Sequence, residues 1–252
     1  MKQLWVFDFD GSLSEFVADR TAAMLLPEAH QLLQQLMKSQ SNRVAIISSR
    51  TLADLVGRVD IPGVYLGGSC GLFWLTPHGH TISPSQVLLA RIASHRSRIL
   101  SGLIDLLESL GVEIEDKNWA VAAHLRNIPP SERDLLAEQI IEFCKQHQLL
   151  HSAGQLSLEV SFDAEVRKVS GLKRLLTLID KKFEPSNVIY AGDDENDAEA
   201  MAWLLSQEGA AIAVGNRITV AGADSVADPL SLILHIREML GNFDSNTVQE
   251  RS

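Results

Sequence analysis

Leu4-Trp5-Val6-Phe7-Asp8-Phe9-Asp10-Gly11-Ser12-Leu13 is the stretch on which the reading of the fold turns. Its apolar opening, Leu4 to Phe7, has the continuous hydrophobic character of a strand buried on both faces. Asp8, Asp10 and Gly11 stand where such a strand must end. Side chains alternate along an extended chain, so two carboxylates at i and i+2 point the same way. That arrangement suits a divalent cation with a reacting group beside it. The plainer reading is an N-terminal edge strand running into an Asp-Gly turn, and these residues alone leave both open.

Working outward, strand and helix patterns alternate. Pro27 to Lys38 carries apolar residues at helical spacing with proline in the first turn. Arg43 to Ile47 is a β-branched run ending at Ser48-Ser49-Arg50, and another helix begins near Thr51. Gly63 to Leu72 adds a strand and a glycine-rich turn. Such alternation predicts right-handed crossovers and a parallel sheet, whose sites form at the carboxyl ends of its strands. The pattern then changes. A long helix over 85–110, strands over 112–115 and 120–125, a helix capped by Ser131 and reaching His147, and a strand over 156–162 make an α+β set of their own. The alternation resumes with a helix over 168–182, the strand Asn187 to Ala191, a helix through Leu205, a strand over 209–214 and a last helix near 231–240. The fold class expected is α/β, a Rossmann-like parallel-sheet core with an inserted α+β cap. The core takes residues 1–76 and 163–252, and the cap 77–162. The polar tail from Gly241 onward is expected to fray.

Length and charge narrow the functional classes. A chain of 252 residues can build a large domain with a second one inserted. Its net charge of −10 argues against nucleic acid or an anionic membrane as partner. Cys70 and Cys144 form no CxxC pair and suggest no disulfide framework. No run approaches a membrane span, and Asp8 and Asp10 interrupt any signal-peptide core. The expectation is a cytoplasmic protein, a monomer or weak dimer, acting on a small molecule.

The strand over 187–191 ends in a second acidic turn, Gly192-Asp193-Asp194-Glu195-Asn196-Asp197. Clustered carboxylates repel unless a cation offsets them, and oxygen ligands without histidine or cysteine favour Mg²⁺ over zinc. With both acidic turns in view, Asp8-Phe9-Asp10-Gly11-Ser12-Leu13 resembles the DxDG(T/S)L signature of haloacid dehalogenase-like phosphatases. Ser48 resembles their second motif, Lys168 the third, with Lys173 a weaker candidate, and the turn at 192–197 the fourth. The resemblance implies Asp8 as nucleophile and Asp10 as general acid and base. It implies Mg²⁺ held by Asp8, the Asp10 carbonyl and Asp193, with Asp194 and Asp197 supporting that shell or orienting Lys168. Ser48, Ser49 and Lys168 would bind the phosphoryl group.

Within the inserted segment, Glu113 to Lys117, His124-Leu125-Arg126 and Leu158-Glu159-Val160 are similar to the E-x-K, H-x-R and L-E-V/I pieces of the trehalose-6-phosphate phosphatase family. Ile46-Ile47-Ser48-Ser49-Arg50 is similar to that family's ISGR. The implied substrate contacts are Arg50, Glu115, Lys117, His124, Arg126 and Glu159, reading a hydroxyl-rich sugar phosphate. Cys70 stands where the family has histidine, Val169 follows Lys168 where glycine is usual, Ala198 replaces an acidic residue, and Ser161-Phe162 replaces Arg-Pro. Trehalose 6-phosphate is the first substrate expected. Glucosylglycerol phosphate, glucosyl- or mannosyl-3-phosphoglycerate and sucrose phosphate are the alternatives, and a phosphomutase or a non-catalytic sensor stays open as another class.

Overall fold

The computed structural model describes residues 2–15, 17, 20–154, 156–179 and 183–249. In chain order the elements are β1 (Leu4–Phe7), α1 (Pro27–Lys38), β2 (Arg43–Ile47), α2 (Leu52–Arg58), β3 (Tyr65–Gly68), β4 (Phe73–Leu75) and β5 (Thr81–Ile82). Then come α3 (Gln86–Ser109), β6 (Glu113–Asp116), β7 (Ala120–His124), α4 (Pro130–His147), β8 (Leu150–Ala153) and β9 (Ser157–Ser161). The chain closes with α5 (Lys168–Leu178), β10 (Val188–Gly192), α6 (Glu195–Leu205), β11 (Ala210–Val214), β12 (Asp224–Val226) and α7 (Pro229–Gln249).

Two sheets result. The larger has the order β12-β11-β10-β1-β2-β3-β4-β5, parallel from β12 to β3 and antiparallel at β4 and β5. β1 lies inside it between β10 and β2, which is why its four residues are apolar without alternation. Trp5 and Phe7 pack with Leu32 of α1 and Ile236 of α7 on one face. Leu4 and Val6 pack with Leu172 of α5 and Leu204 of α6 on the other. Helices on both faces of a mostly parallel sheet are the expected Rossmann-like layering. The smaller sheet, order β6-β7-β9-β8, is antiparallel and packs one face on α3 and α4 through Leu103, Ile140, Val121 and Val160.

Several expectations shift. β5 pairs with β4, so Thr81 and Ile82, expected in the inserted segment, belong to the larger sheet. Ser131 does not cap α4; the helix starts at Pro130 with Pro129 at the cap, the ring's fixed φ suiting a first turn. Strand β8 adds to the expected pattern; Leu150-His151-Ser152-Ala153 is short and only partly buried, so it carries no strand signature of its own. α5 ends at Leu178, and residues 180–182 of its expected span lie outside the described residues. α7 runs past 240 to Gln249, since no proline stops it; residues 250–252 of the tail expected to fray lie outside the described residues. Among the described residues no helix is long and apolar enough to cross a membrane.

Candidate active site

The site forms at the carboxyl edge of the larger sheet, where β1, β2 and β10 stop. Asp8 continues the ladder one step beyond β1, its N–H donating to Ala191 O at 2.8 Å. Gly11 then turns the chain with φ +80°, a conformation glycine adopts without strain. A Cβ there would lie 2.6 Å from Asp193 Oδ2, so only glycine lets the first acidic turn close on the second. Carboxylate oxygens of Asp8, Asp193 and Asp197 lie within 4.8 Å of one another, and all three residues are buried.

Lys168, at the first position of α5, is 1 % exposed and reaches into this cluster. Its Nζ lies 2.8 Å from Asp8 Oδ1, 2.8 Å from both oxygens of Asp197 and 3.5 Å from Asp194 Oδ1. Burial pulls the ammonium towards losing its proton, but Asp194, Asp197 and Asp8 outweigh that and hold its pKa well above the ordinary value. Asp8 is pushed up to about 8, first by burial and then, against the pull of Lys168, by the neighbouring carboxylates. Asp193 is pushed up to about 7 by burial and by Asp197 and Asp194. For Asp194, burial raises the pKa, yet Lys168 and hydrogen bonds from Asp197 prevail and lower it.

These positions separate the acidic residues by role. Asp197 is fully enclosed, taking Lys168, the Tyr190 hydroxyl at 2.6 Å and the backbone N–H groups of Asp193 and Asp194 at 3.2 Å each. Asp194 caps α6 and forms a capping box with Asp197, which fixes the loop that presents Asp193. Asp8 and Asp193 therefore remain the carboxylates best placed for a cation, while Asp194 and Asp197 hold Lys168 and the loop. An all-oxygen donor set, buried and carrying raised pKa values that a nearby positive charge would relieve, fits a hard divalent ion such as Mg²⁺.

Ser48, Arg50 and Lys173 each have a defined protein partner. Ser48 is fully buried, its Oγ accepting the Arg50 N–H at 3.1 Å, and Ser49 lines the cavity. Arg50 is 2 % exposed and grips Asp10 with Nε to Oδ2 at 2.8 Å and Nη2 to Oδ1 at 2.6 Å, with Nη1 on Asp54 at 2.7 Å. Lys173 turns away from the cluster, its ammonium 4.9 Å from the centre of the Trp203 ring.

The polar face of the smaller sheet covers this edge. Lys117, Ala122, His124, Arg126 and Glu159 line the cavity opposite Asp8, Asp10, Lys168, Asp193 and Asp194. Their side chains are paired: Lys117 with Glu159 and Arg126 with Glu113 as ion pairs, and His124 Nε2 with Glu115 at 3.1 Å. Glu115, expected among the substrate contacts, stands outside the lining and touches His124, which lies in it. Lys117 also donates to Ser49 O at 3.2 Å, bridging the two sheets. Arg217 completes the wall, with Nη1 3.1 Å from Asp193 Oδ2. The sequence carried a signal for it, because Gly215-Asn216-Arg217 follows β11 at the same sheet edge. Tyr190 gave none, being one apolar strand position among others.

Comparison with known proteins agrees with this geometry. Residues 6–232 match the family model described as Trehalose-phosphatase. The trehalose-phosphate phosphatase of Mycobacterium ulcerans (strain Agy99) is 34% identical over 222 residues, covering 85% of this chain and 56% of that protein. Its counterpart from Mycobacterium tuberculosis (strain ATCC 25618 / H37Rv) is 32% identical over 224 residues with the same coverage. The chain thus spans about half the length of these curated relatives. Among solved structures, the C-terminal domain of C. albicans trehalose-6-phosphate phosphatase superposes with TM-score 0.77 at 21% identity, covering 92% of this chain and 89% of that one. A haloacid dehalogenase-like hydrolase from B. subtilis does so with TM-score 0.66 at 12% identity, covering 92% and 98%. Likeness at such identities speaks for the fold alone. The family match covers most of the chain and includes both acidic turns, and the protein belongs to the trehalose-phosphatase family.

Proposed function

We propose that this protein is a Mg²⁺-dependent sugar-phosphate phosphatase that hydrolyses trehalose 6-phosphate through an aspartyl-phosphate on Asp8. The observation that carries the reading is the buried Lys168 set between Asp8 and Asp197, in one cluster with Asp193 at the floor of a cavity roofed by the charged face of the smaller sheet. Residues 83–162 act as the cap and the remainder as the catalytic core.

In the first step an Asp8 oxygen attacks phosphorus, the ester P–O bond breaks, and Asp10 delivers a proton to the leaving sugar oxygen. In the second, Asp10 takes a proton from water as the water oxygen attacks the same phosphorus. The bond to Asp8 breaks, inorganic phosphate leaves, and both aspartates return to their starting states. Arg50 sets the direction of Asp10 in both steps, and one Asp10 oxygen exchanges its Arg50 contact for the reacting oxygen. Lys168 offsets charge that builds on the phosphoryl oxygens, where a fixed cation in a buried site acts most strongly. Asp8, the Asp10 backbone carbonyl and Asp193 would hold Mg²⁺, which supplies neutralisation of the approaching anions. The cap residues Lys117, His124, Arg126 and Glu159 read the sugar hydroxyls, and its closure excludes bulk water.

Phosphate release across a panel of sugar and glycosyl phosphates tests this, with Mg²⁺ present and after EDTA. Highest kcat/KM for trehalose 6-phosphate, lost with EDTA and restored by Mg²⁺, is the expected result. A clear preference for a phosphoglycerate or sucrose ester would replace the substrate, and conversion to an isomeric phosphate without release would replace hydrolysis by transfer.

A further inference from the structure

Asp193 is held from two sides. The backbone of Gly11 closes one, leaving no space for a Cβ, and Arg217 closes the other with a single hydrogen bond to Oδ2. Among the described residues no hydrogen bond reaches Asp193 Oδ1. A carboxylate fixed through one oxygen presents the other in a defined direction. The same guanidinium extends Nη2 to within 3.5 Å of Ala153 O, on strand β8 of the smaller sheet.

β8 is an edge strand, whose outward N–H and C=O groups ordinarily face water. Here the core meets the backbone of Ala153 and the side chain of Ser152. Ala153 N–H donates to Glu195 Oε2 at 3.1 Å, and Asn196 Nδ2 donates to Ser152 Oγ at 3.2 Å. Glu195 and Asn196 open α6 directly after Asp193 and Asp194, so the acidic loop and Arg217 together seat the strand.

We propose that Arg217 is a positioning residue for the metal carboxylate Asp193, which it ties to β8, so that the cation site and the seat of the cap form one unit. This rests on the phosphatase reading above. A planar guanidinium can serve two acceptors at once, whereas a lysine ammonium at the end of a flexible chain serves Asp193 without holding the strand in register.

The test is calorimetric titration of Mg²⁺ into substrate-free wild type, R217Q and R217K, with hydrogen exchange of the β8 amides measured with and without Mg²⁺. R217Q is expected to bind Mg²⁺ about tenfold more weakly, the size usual for groups that orient a ligand. R217K should recover most of that affinity, yet Mg²⁺ should no longer slow exchange at β8 as it does in wild type. Mere removal of a nearby cation would tighten Mg²⁺ binding, so equal or tighter binding by R217Q overturns the inference. Slowed β8 exchange in R217K overturns the link to the strand, and R217K carries the test should R217Q fold poorly. Wild type that neither binds Mg²⁺ nor releases phosphate from any sugar phosphate would remove the phosphatase reading as well. An active, Mg²⁺-binding wild type beside an indifferent R217Q removes this inference alone.

Discussion

Arg50 holds Asp10 by two parallel hydrogen bonds, Nε to Oδ2 and Nη2 to Oδ1, from a position that is itself almost wholly buried. A two-pronged contact fixes both the place and the plane of a carboxylate. In the proposed mechanism Arg50 therefore acts on the catalytic geometry more than on sugar recognition. R50Q should lower kcat by about a hundredfold, the scale of loss that a 1 Å misplacement can produce, with KM little changed. R50K should recover only a part. Steady-state kinetics with the preferred sugar phosphate decide it, and a variant that altered KM alone would return Arg50 to the substrate contacts.

Asp8→Asn should abolish phosphate release while the fold persists, since the amide has no charge with which to attack phosphorus. Circular dichroism and a phosphate assay on the same sample check it. Normal turnover in this variant would end the nucleophile assignment.

Burial, and after it the neighbouring carboxylates, push Asp8 up to about 8 and Asp193 up to about 7. Unfolded aspartate titrates at about 3.9. Between those values the folded protein keeps protons that the unfolded chain has released, so without a cation these two groups make stability fall as pH rises from about 4 to about 8. Mg²⁺ held by the ionised pair, as proposed, would remove that loss. The Mg²⁺-induced rise in Tm should accordingly be larger at pH 8 than at pH 6. Equal rises at both values would dissociate the pair from the cation.

Gly171 sits where α5 crosses the turn after β3, and a Cβ there would lie 2.2 Å from Cys70 O. Gly71, opposite, has φ +76° and a virtual Cβ 2.6 Å from Gly171 Cα. The small residue that brings α5 onto this turn is thus Gly171, and Val169 beside Lys168 packs in the apolar layer with Leu172. G171A should cost about 1–3 kcal/mol, as overpacked sites do, read as a shift in the urea midpoint. Activity should fall with it, because Lys168 stands one turn earlier on the same helix.

Lys117 and Glu159 form a buried ion pair at the roof of the cavity, with Lys117 also on Ser49 O. K117A leaves Glu159 charged and enclosed, and should lower stability by about 3 kcal/mol. E159Q is the milder probe. It should raise KM for the sugar phosphate more than for a small aryl phosphate, and equal effects on both would take Glu159 out of sugar recognition.

Much of the catalytic edge was legible in residues 4–13 and 187–197, because strand ends in a parallel sheet are readable from apolar runs that stop at glycine and aspartate. Asp8, Asp10, Lys168 and Asp193 converge as their places in the βα alternation require. Lys117, His124, Arg126 and Glu159 also line the cavity: alternation puts His124 of β7 and Glu159 of β9 on the face opposite Val121 and Val160, while Lys117 and Arg126 directly follow β6 and β7. What sequence left undecided was the division of labour among like residues. Whether an aspartate faces a cation or anchors a lysine, and whether an arginine meets a sugar or a general acid, depends on partners brought from distant segments. Tyr190 encloses Asp197, Arg50 crosses from β2 to Asp10, and Arg217 joins Asp193 to β8, each through contacts that no local pattern encodes. Local periodicity determines which edge of the sheet carries the carboxylates; burial and charge pairing, which exist only once the chain has folded, decide what each of them does.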